Sequence, residues 1–333
     1  MTTVVGFDIG HSMVKAVALS EKGRDIVQFP SVVSPAISLS DEAAAYEAEK
    51  ESVTIDGQTF FTGETAVTQG SVTSVTGLSK DWIKAPEHAA LFVSGLKRLH
   101  SKQVPGLDEA MVVMGLPSEF YKHQSEPLRE IMSKHFSGEI VVQPQPAGPY
   151  FATMFETDGS MKANRSMTKE SWAVIDVGHF TTDFFLVIRG QRIEVGMASE
   201  KGVYLATEHL RRQVQDLHNI DIDDLEAAEA LKLGKIKNFA EEIDVTKNVK
   251  EAAQHVLCRV LDKADSLIAT HARKLDGIIV AGGGGSLLYE SIKQKWSNAV
   301  LAENPRIAIA DGFARYGRML HRARQLTSIA QGG

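Results

Sequence analysis

Val4-Val5-Gly6-Phe7-Asp8-Ile9-Gly10-His11-Ser12, running on through Met13-Val14-Lys15-Ala16-Val17-Ala18-Leu19, has a counterpart half a chain away. The second copy is Ala173-Val174-Ile175-Asp176-Val177-Gly178-His179-Phe180, running on through Thr181-Thr182-Asp183-Phe184-Phe185-Leu186-Val187. In each, an apolar strand ends on an aspartate, and a glycine and a histidine turn the chain into a returning strand. That is a β-hairpin with a carboxylate at its tip. Repetition at this distance predicts a duplicated fold with two such hairpins. Their backbone N–H groups suit anionic oxygens, and their two aspartates suit a divalent cation, so the pair is read as a clamp for nucleotide phosphates.

Around these hairpins the chain alternates helix and strand. A proline-interrupted strand is expected over residues 28–33, and an acidic, weakly ordered excursion over 40–51. A hairpin turned at Asp56-Gly57 follows, Asp-Gly being a strong short-range signal. Helices are expected over 86–100 and 118–135, with a buried strand over 109–117 between them. A strand over 139–142 enters the bend Gln143-Pro144-Gln145-Pro146-Ala147-Gly148, and a helix follows from Pro149. The polar stretch 157–171 is the candidate linker between halves. In the second half a third strand is expected over 193–197 and a helix from Gly202 to about Leu217. A mostly helical segment runs over 218–275, then a buried strand ends in Gly282-Gly283-Gly284-Gly285, and a helix from about Ile309 closes the chain. Hairpins followed by alternating helix and strand, twice over, predict α/β domains with mixed sheets. A doubly wound dinucleotide fold would want its glycine fingerprint directly before a helix, whereas both aspartate motifs here precede strands.

Composition narrows the function classes. With 333 residues the chain can hold two ordinary domains, and 43% hydrophobic with 23% charged residues is a globular composition. A net charge of −6 argues against nucleic-acid binding by the whole surface. The one cysteine, Cys258, excludes an intrachain disulfide and reads as a buried small apolar residue. No apolar run approaches a membrane span, so a cytoplasmic protein is expected. There is no Gly-x-x-x-x-Gly-Lys-Ser/Thr loop, and the eleven histidines lack metal-ligand spacing.

Several residues carry the chemistry. Gly10 and Gly178 permit close backbone approach to phosphate oxygens, and Ser12, Thr181 and Thr182 add hydroxyl donors. Lys15, on the returning strand, is either a phosphate ligand or an exposed strand lysine. The four glycines 282–285 at a strand's carboxyl end let backbone lie flat against a ligand. Gln143 ends an apolar strand, where its amide can orient a water for attack on a phosphoryl group. Arg315, Arg318, Arg322 and Arg324 on the closing helix are read as a solvated basic face rather than a DNA contact.

Five segments, 8–15, 143–148, 176–183, 278–287 and 308–317, in that order resemble the two phosphate loops, two connecting elements and adenosine glycines of the actin superfamily of ATPases, shared with heat-shock chaperone ATPases and sugar kinases. Within it Phe29-Pro30-Ser31, Val53-Thr54-Ile55-Asp56-Gly57, Thr62-Gly63-Glu64 and Gly115-Leu116-Pro117 are similar to the plasmid-segregating bacterial actins, the ParM/StbA family. The resemblance implies an actin-like two-domain fold with duplicated mixed β-sheet domains and nucleotide in the interdomain cleft. Domain I would span 1–160 with an outer subdomain at about 30–75. Domain II would span 161–308 with one at about 218–255, and 309–333 would return to domain I.

It also implies ATP (GTP being the other candidate), Mg²⁺ held largely through water, filaments that assemble with ATP and decay after hydrolysis, and an adaptor DNA-binding protein on a plasmid centromere site, with no direct sequence-specific DNA contact and no membrane. On this sequence Asp8 and Asp176 would order the Mg²⁺ water shell and Gln143 would position the attacking water, with Gln145 a rival in the same bend. Gly10, His11, Ser12, Lys15, Gly178, His179, Phe180, Thr181, Gly202 and the glycines Gly282, Gly283, Gly284 and Gly285 would contact the nucleotide. Two departures stand out. The subfamily usually has an acidic residue where Gln143 stands, and loop two usually continues Gly-Gly-Thr where this chain has His179 and Phe180.

Two other functions fit the same fold. A sugar or small-acid kinase would carry a carboxylate base and polar sugar-binding residues, and no convincing set is present. A non-polymerising scaffold would want an amphipathic tail, but residues 325–333 are short and weakly apolar. Under the filament reading the polar segments 40–51 and 218–275 would supply subunit contacts, making assembly reversible and salt-sensitive. With His11 and His179 beside the phosphates, nucleotide would bind more tightly at mildly acidic pH.

Overall fold

A computed structural model describes residues 2–70, 81–239 and 241–331. Residues 71–75 of the first expected outer subdomain and 332–333 of the closing segment lie outside these. The chain divides into two compact units, Met1–Ser166 with Ile307–Gly333, and Met167–Arg306.

The first unit begins with the meander β1 (Val4–Ile9), β2 (Met13–Ser20) and β3 (Gly23–Pro30). β4 (Val33–Pro35), α1 (Glu42–Lys50), β5 (Ser52–Ile55), β6 (Gln58–Thr62) and α2 (Glu64–Gln69) follow. Then come α3 (Pro86–Ser101), β7 (Met111–Leu116), α4 (Ser118–Met132), β8 (Ile140–Pro144) and α5 (Ala147–Met154). The main sheet has the order β3-β2-β1-β7-β8, and β4, β6 and β5 make a second, three-stranded sheet. β1 is buried along its whole length because alternate residues serve two layers. Val5, Phe7 and Ile9 join the core under α3, where the Phe7 and Phe92 rings lie 5.2 Å apart. Asp56 and Gly57 turn β5 into β6 with positive φ at both, as a two-residue connection requires.

Two expectations change here. Residues 28–33 are not one interrupted strand: Pro30 ends β3, Ser31 N–H turns to Ser12 O, and β4 starts the other sheet. The segment 40–51 is not a weakly ordered excursion but contains helix α1. Its N-cap Asp41 accepts from Ala44 N–H at 2.7 Å, and its alanine-rich turns favour helix.

The second unit carries β9 (Ser171–Val177), β10 (Thr181–Ile188), β11 (Gln191–Arg192), β12 (Ala198–Lys201), α6 (Tyr204–His218), α7 (Asp224–Leu233), β13 (Lys235–Asn238), β14 (Glu241–Asp244), α8 (Thr246–Ala272), β15 (Gly277–Ala281), α9 (Gly285–Lys295) and β16 (Ala299–Leu301). Its sheet runs β11-β10-β9-β15-β16, with β12 also on β10. Residues 193–197 are not the expected third strand. Gly196 tucks under Leu186 in a short 3-10 turn, and pairing with β10 resumes only at β12. The segment 218–275 is mostly helical, as expected, with a connection at 219–223 and the hairpin β13–β14, which is introduced by Gly234 in the left-handed region (φ +71). Cys258 is exposed rather than buried.

α10 (Ala308–Gln331) belongs to the first unit and lies directly on β1 and α5. A Cβ on Gly6 would stand 1.8 Å from Ala310 O, and one on Gly312 would stand 1.8 Å from Gly148 O. Only part of the expected solvated basic face is present on α10: Arg322 and Arg324 are exposed, whereas Arg315 and Arg318 are buried. Arg315 is buried, reaching Asp311 at 2.7 Å and Phe155 O at 2.8 Å, and Arg24 also pairs with Asp311. Arg324 forks onto Glu139, Arg322 meets Asp158, and Arg318 is buried. Among the described residues no helix is long and apolar enough to cross a membrane.

Two stability predictions follow from this packing. Gly312→Ala gains up to about 1 kcal/mol of helix propensity, yet drives a methyl into the Gly148 carbonyl, so urea unfolding should show a net loss of about 1–3 kcal/mol or more. Gly283→Ala, with nothing within 4 Å of the new Cβ, should leave the midpoint nearly unchanged. The second concerns His88 of α3, which is buried with no partner for its Nδ1 among the described residues and its ring edge-on to Trp82 at 5.5 Å. Burial, and secondarily the charge of His11, push its pKa down to about 3. Between its ordinary value of 6.5 and that point the unfolded chain binds the extra proton, so stability falls as pH drops through this window. From pH 7 to 5 the loss attributable to this group should be about 2 kcal/mol. His88→Leu should lose correspondingly less between the same two pH values.

Candidate functional site

In the first unit the site grows from the end of β1. Asp8 is almost completely buried, yet both its carboxylate oxygens are engaged. Lys15, its cross-strand partner on β2, donates from Nζ to Oδ2 at 2.9 Å. Gln145 donates from Nε2 to Oδ1 at 3.1 Å. Lys15 is therefore no free strand lysine; its Nζ would lie 3.2 Å from a Cβ on Gly10, directly beneath the loop.

Gly115 makes the Gln145 contact possible. It stands beside Gln143 in the parallel β7–β8 register, and continuing the β1–β7 register by one residue brings it level with Asp8. A Cβ there would strike Gln145 Cγ at 2.7 Å. The backbone of Gln145 is fixed too, its N–H on Leu116 O at 2.8 Å and its carbonyl accepting from Gly148 N–H at 3.0 Å. Ser31 clamps the loop from the other side, its hydroxyl donating to Gly10 O and its N–H to Ser12 O. Ser12 is exposed, and Gly10, His11 and Gln143 are half-buried.

In the second unit three segments meet at residues 177–181. Gly178 N–H closes the hairpin on Thr181 O at 2.8 Å. The start of α6 is stitched to the loop by Gly202 N–H to Phe180 O at 2.7 Å, Val203 N–H to Gly178 O at 3.1 Å and Tyr204 N–H to His179 O at 2.6 Å. Gly284 N–H of the glycine run reaches Val177 O at 2.9 Å.

These close approaches explain the glycines. A Cβ on Gly202 would stand 2.5 Å from Gly178 O, and one on Gly282, at φ +83, would stand 2.3 Å from Val177 O and 2.8 Å from Asp176 Oδ1. Gly284 likewise has no room beside Val203. Of the run, Gly283 alone faces open space. Three glycines that the sequence suggested for ligand contact thus also have a packing reason. The bulk of Phe180 is absorbed by the Tyr204 ring at 5.1 Å, and the His179 ring stands edge-on to Phe180 at 4.7 Å.

Asp176 lies directly opposite Asp183 in the β9–β10 register, and both are buried. Asp183 accepts from Thr181 Oγ1 at 2.8 Å and Ser199 Oγ at 2.6 Å. Like charges opposed across a ladder are unfavourable unless a cation or donors compensate. Sequence reasoning missed Asp183 as a site residue and the clamp by Ser31. The first was recoverable: 176 and 183 are symmetric about the hairpin tip at 179–180. The second depends on β3 ending at Pro30, which no local signal gives. Among the described residues no three His, Cys, Asp or Glu side chains cluster as a metal site. Single carboxylates with phosphate and water as further ligands suit Mg²⁺, which dehydrates reluctantly.

The family model for the N-terminal domain of actin-like proteins matches residues 6–148, and that for the C-terminal part of archaeal MreB-like actin homologues matches 174–294. Among curated proteins, none matches the chain in sequence. Among solved structures, a non-polymerisable quadruple mutant of pCBH ParM is similar at TM-score 0.73 and 22% identity, covering 95% of this chain and 99% of that one. A 15-stranded ParM filament from Clostridium botulinum is similar at TM-score 0.74 and 20% identity, covering 95% and 99%. The archaeal actin homologue Ta0583 in complex with ADP is similar at TM-score 0.69 and 16% identity, covering 94% and 98%. With both halves matched by actin-type models, the chain belongs to the actin-like proteins, and its fold is shared with the ParM structures along its length.

Proposed function

We propose that this chain is a nucleotide-dependent, filament-forming ATPase that moves plasmid DNA through an adaptor protein. The observation that carries the nucleotide reading is the meeting of loop two, the start of α6 and the glycine run around the opposed carboxylates Asp176 and Asp183. Such a place lets a ligand approach backbone at Gly283, where a Cβ would meet nothing, and offers negative charge to a phosphate-bound cation. The ADP complex of Ta0583 and the ParM filament supply precedent for nucleotide binding and polymerisation in chains of this fold. The segregation role rests on the sequence resemblance to plasmid-segregating actins.

In this reading Mg²⁺ supplies charge neutralisation at the phosphates when bound. Asp8 and Asp176 are the residues that would order its water shell. Gln145 keeps the Asp8 carboxylate from rotating, and Lys15 neutralises that carboxylate until nucleotide arrives. Gln143 is left to orient the attacking water. Gly10 and Gly178 let phosphate oxygens reach backbone N–H groups, with Ser12 and Thr181 as further donors.

The two kinds of residue should fail differently. Asp176→Ala should weaken Mg²⁺-nucleotide binding and so depress both assembly and hydrolysis. Gln143→Ala should still assemble with ATP, because a water-orienting amide acts mainly in the transition state, but should turn over roughly 10²-fold more slowly and disassemble late. Phosphate release measured beside light scattering separates the two. Normal hydrolysis in Gln143→Ala would move the role to Gln145, and a flat scattering trace with ATP and Mg²⁺ would reject the filament reading.

A further inference from the structure

The hairpin β13–β14 is joined by two residues, since Asn238 and Glu241 are its last paired positions. Two-residue connections favour asparagine or glycine, because they need left-handed backbone. Here the first position is Phe239, at φ +53. Its side chain is 94% exposed, the highest value among the large apolar residues described. A bulky residue in this conformation costs about 1–2 kcal/mol, and a ring left in water gains nothing from burial. Neither penalty is recovered inside the chain. The ribbon is anchored elsewhere, by Ile236 and Ile243 in the core of the second unit and by the Lys235–Glu242 ion pair at 2.7 Å.

We propose that Phe239 is a docking knob between copies of this chain, buried at each subunit contact of the polymer; the inference rests on the filament reading above. The ribbon carries Lys235 and Lys237 against Glu241, Glu242 and Asp244, a net charge of −1 that would draw neither nucleic acid nor an anionic membrane. One aromatic side chain buries only about 150–250 Å², far short of the roughly 1,000 Å² a stable one-to-one complex needs. A contact this small is effective where it repeats along an assembly and adds to other contacts. The chain also carries an open recess in which Val53, Val93, Leu96, Leu107 and Phe136 stand beside polar groups such as Lys97 and His135. A knob and a separate hole on one chain make a heterologous contact, the kind that can propagate along a polymer.

Phe239→Asn tests this, because asparagine tolerates the left-handed backbone and should leave the subunit at least as stable. The critical concentration for ATP-driven assembly, by light scattering and pelleting, should rise about 10-fold or more, as expected for losing one aromatic burial. Affinity for a fluorescent ATP analogue should not change. Phe239→Trp should assemble and its emission should shift to the blue on assembly, relative to wild type under the same conditions. An unchanged critical concentration, or no shift while filaments form, would overturn the knob and leave the filament reading standing. A wild-type protein that forms no filaments with ATP would overturn both.

Discussion

The first unit depends on backbone touching backbone. α10 approaches β1 at Gly6 and α5 at Gly148 and Gly312 so closely that a single methyl at any of these places would overlap a main-chain atom. Contact at that range fixes distances more stringently than side-chain packing, because there is no rotamer to adjust. It sets the height of α5 against the sheet, and with it the bend from which Gln145 reaches Asp8. The site residues are therefore placed by a seam that contains no reactive group.

The two aspartates are handled in different ways. Asp8 has a lysine on one oxygen and an amide on the other, so its charge is neutralised within the first unit. Asp176 instead faces a second carboxylate, Asp183, which draws two hydroxyl donors of its own. The first arrangement suits a residue that must be oriented before ligand arrives. The second sets two carboxylates side by side, an arrangement that a bound cation would favour.

Much of this was legible in the sequence because it is local. The two Asp-x-Gly-His hairpins, the Asp56-Gly57 turn and the helix of 86–100 declare themselves through period and turn chemistry, and the order of glycine-bearing segments carries the superfamily. What stayed hidden depends on distant partners. Arg315 looks like a surface charge until Asp311 and Phe155 O are brought to it, and Arg318 is buried with it. The strand expected at 193–197 fails because Gly196 packs on Leu186, a tertiary event. Helix α1 was misjudged for another reason: its acidic, alanine-rich composition resembles disorder, and the Asp41 cap that decides the matter was overlooked.

The first unit is discontinuous in sequence, opened at residue 166 and completed only from residue 307, whereas the second is one uninterrupted stretch. During synthesis the second unit can close its core while the first still lacks the helix that packs on Gly6. Chains usually finish their amino-terminal domain first; here the order is reversed. Until α10 has been made, the sheet that carries the Asp8 hairpin lacks the helix packed on β1, and a nascent chain stalled before residue 308 is a natural client for a chaperone.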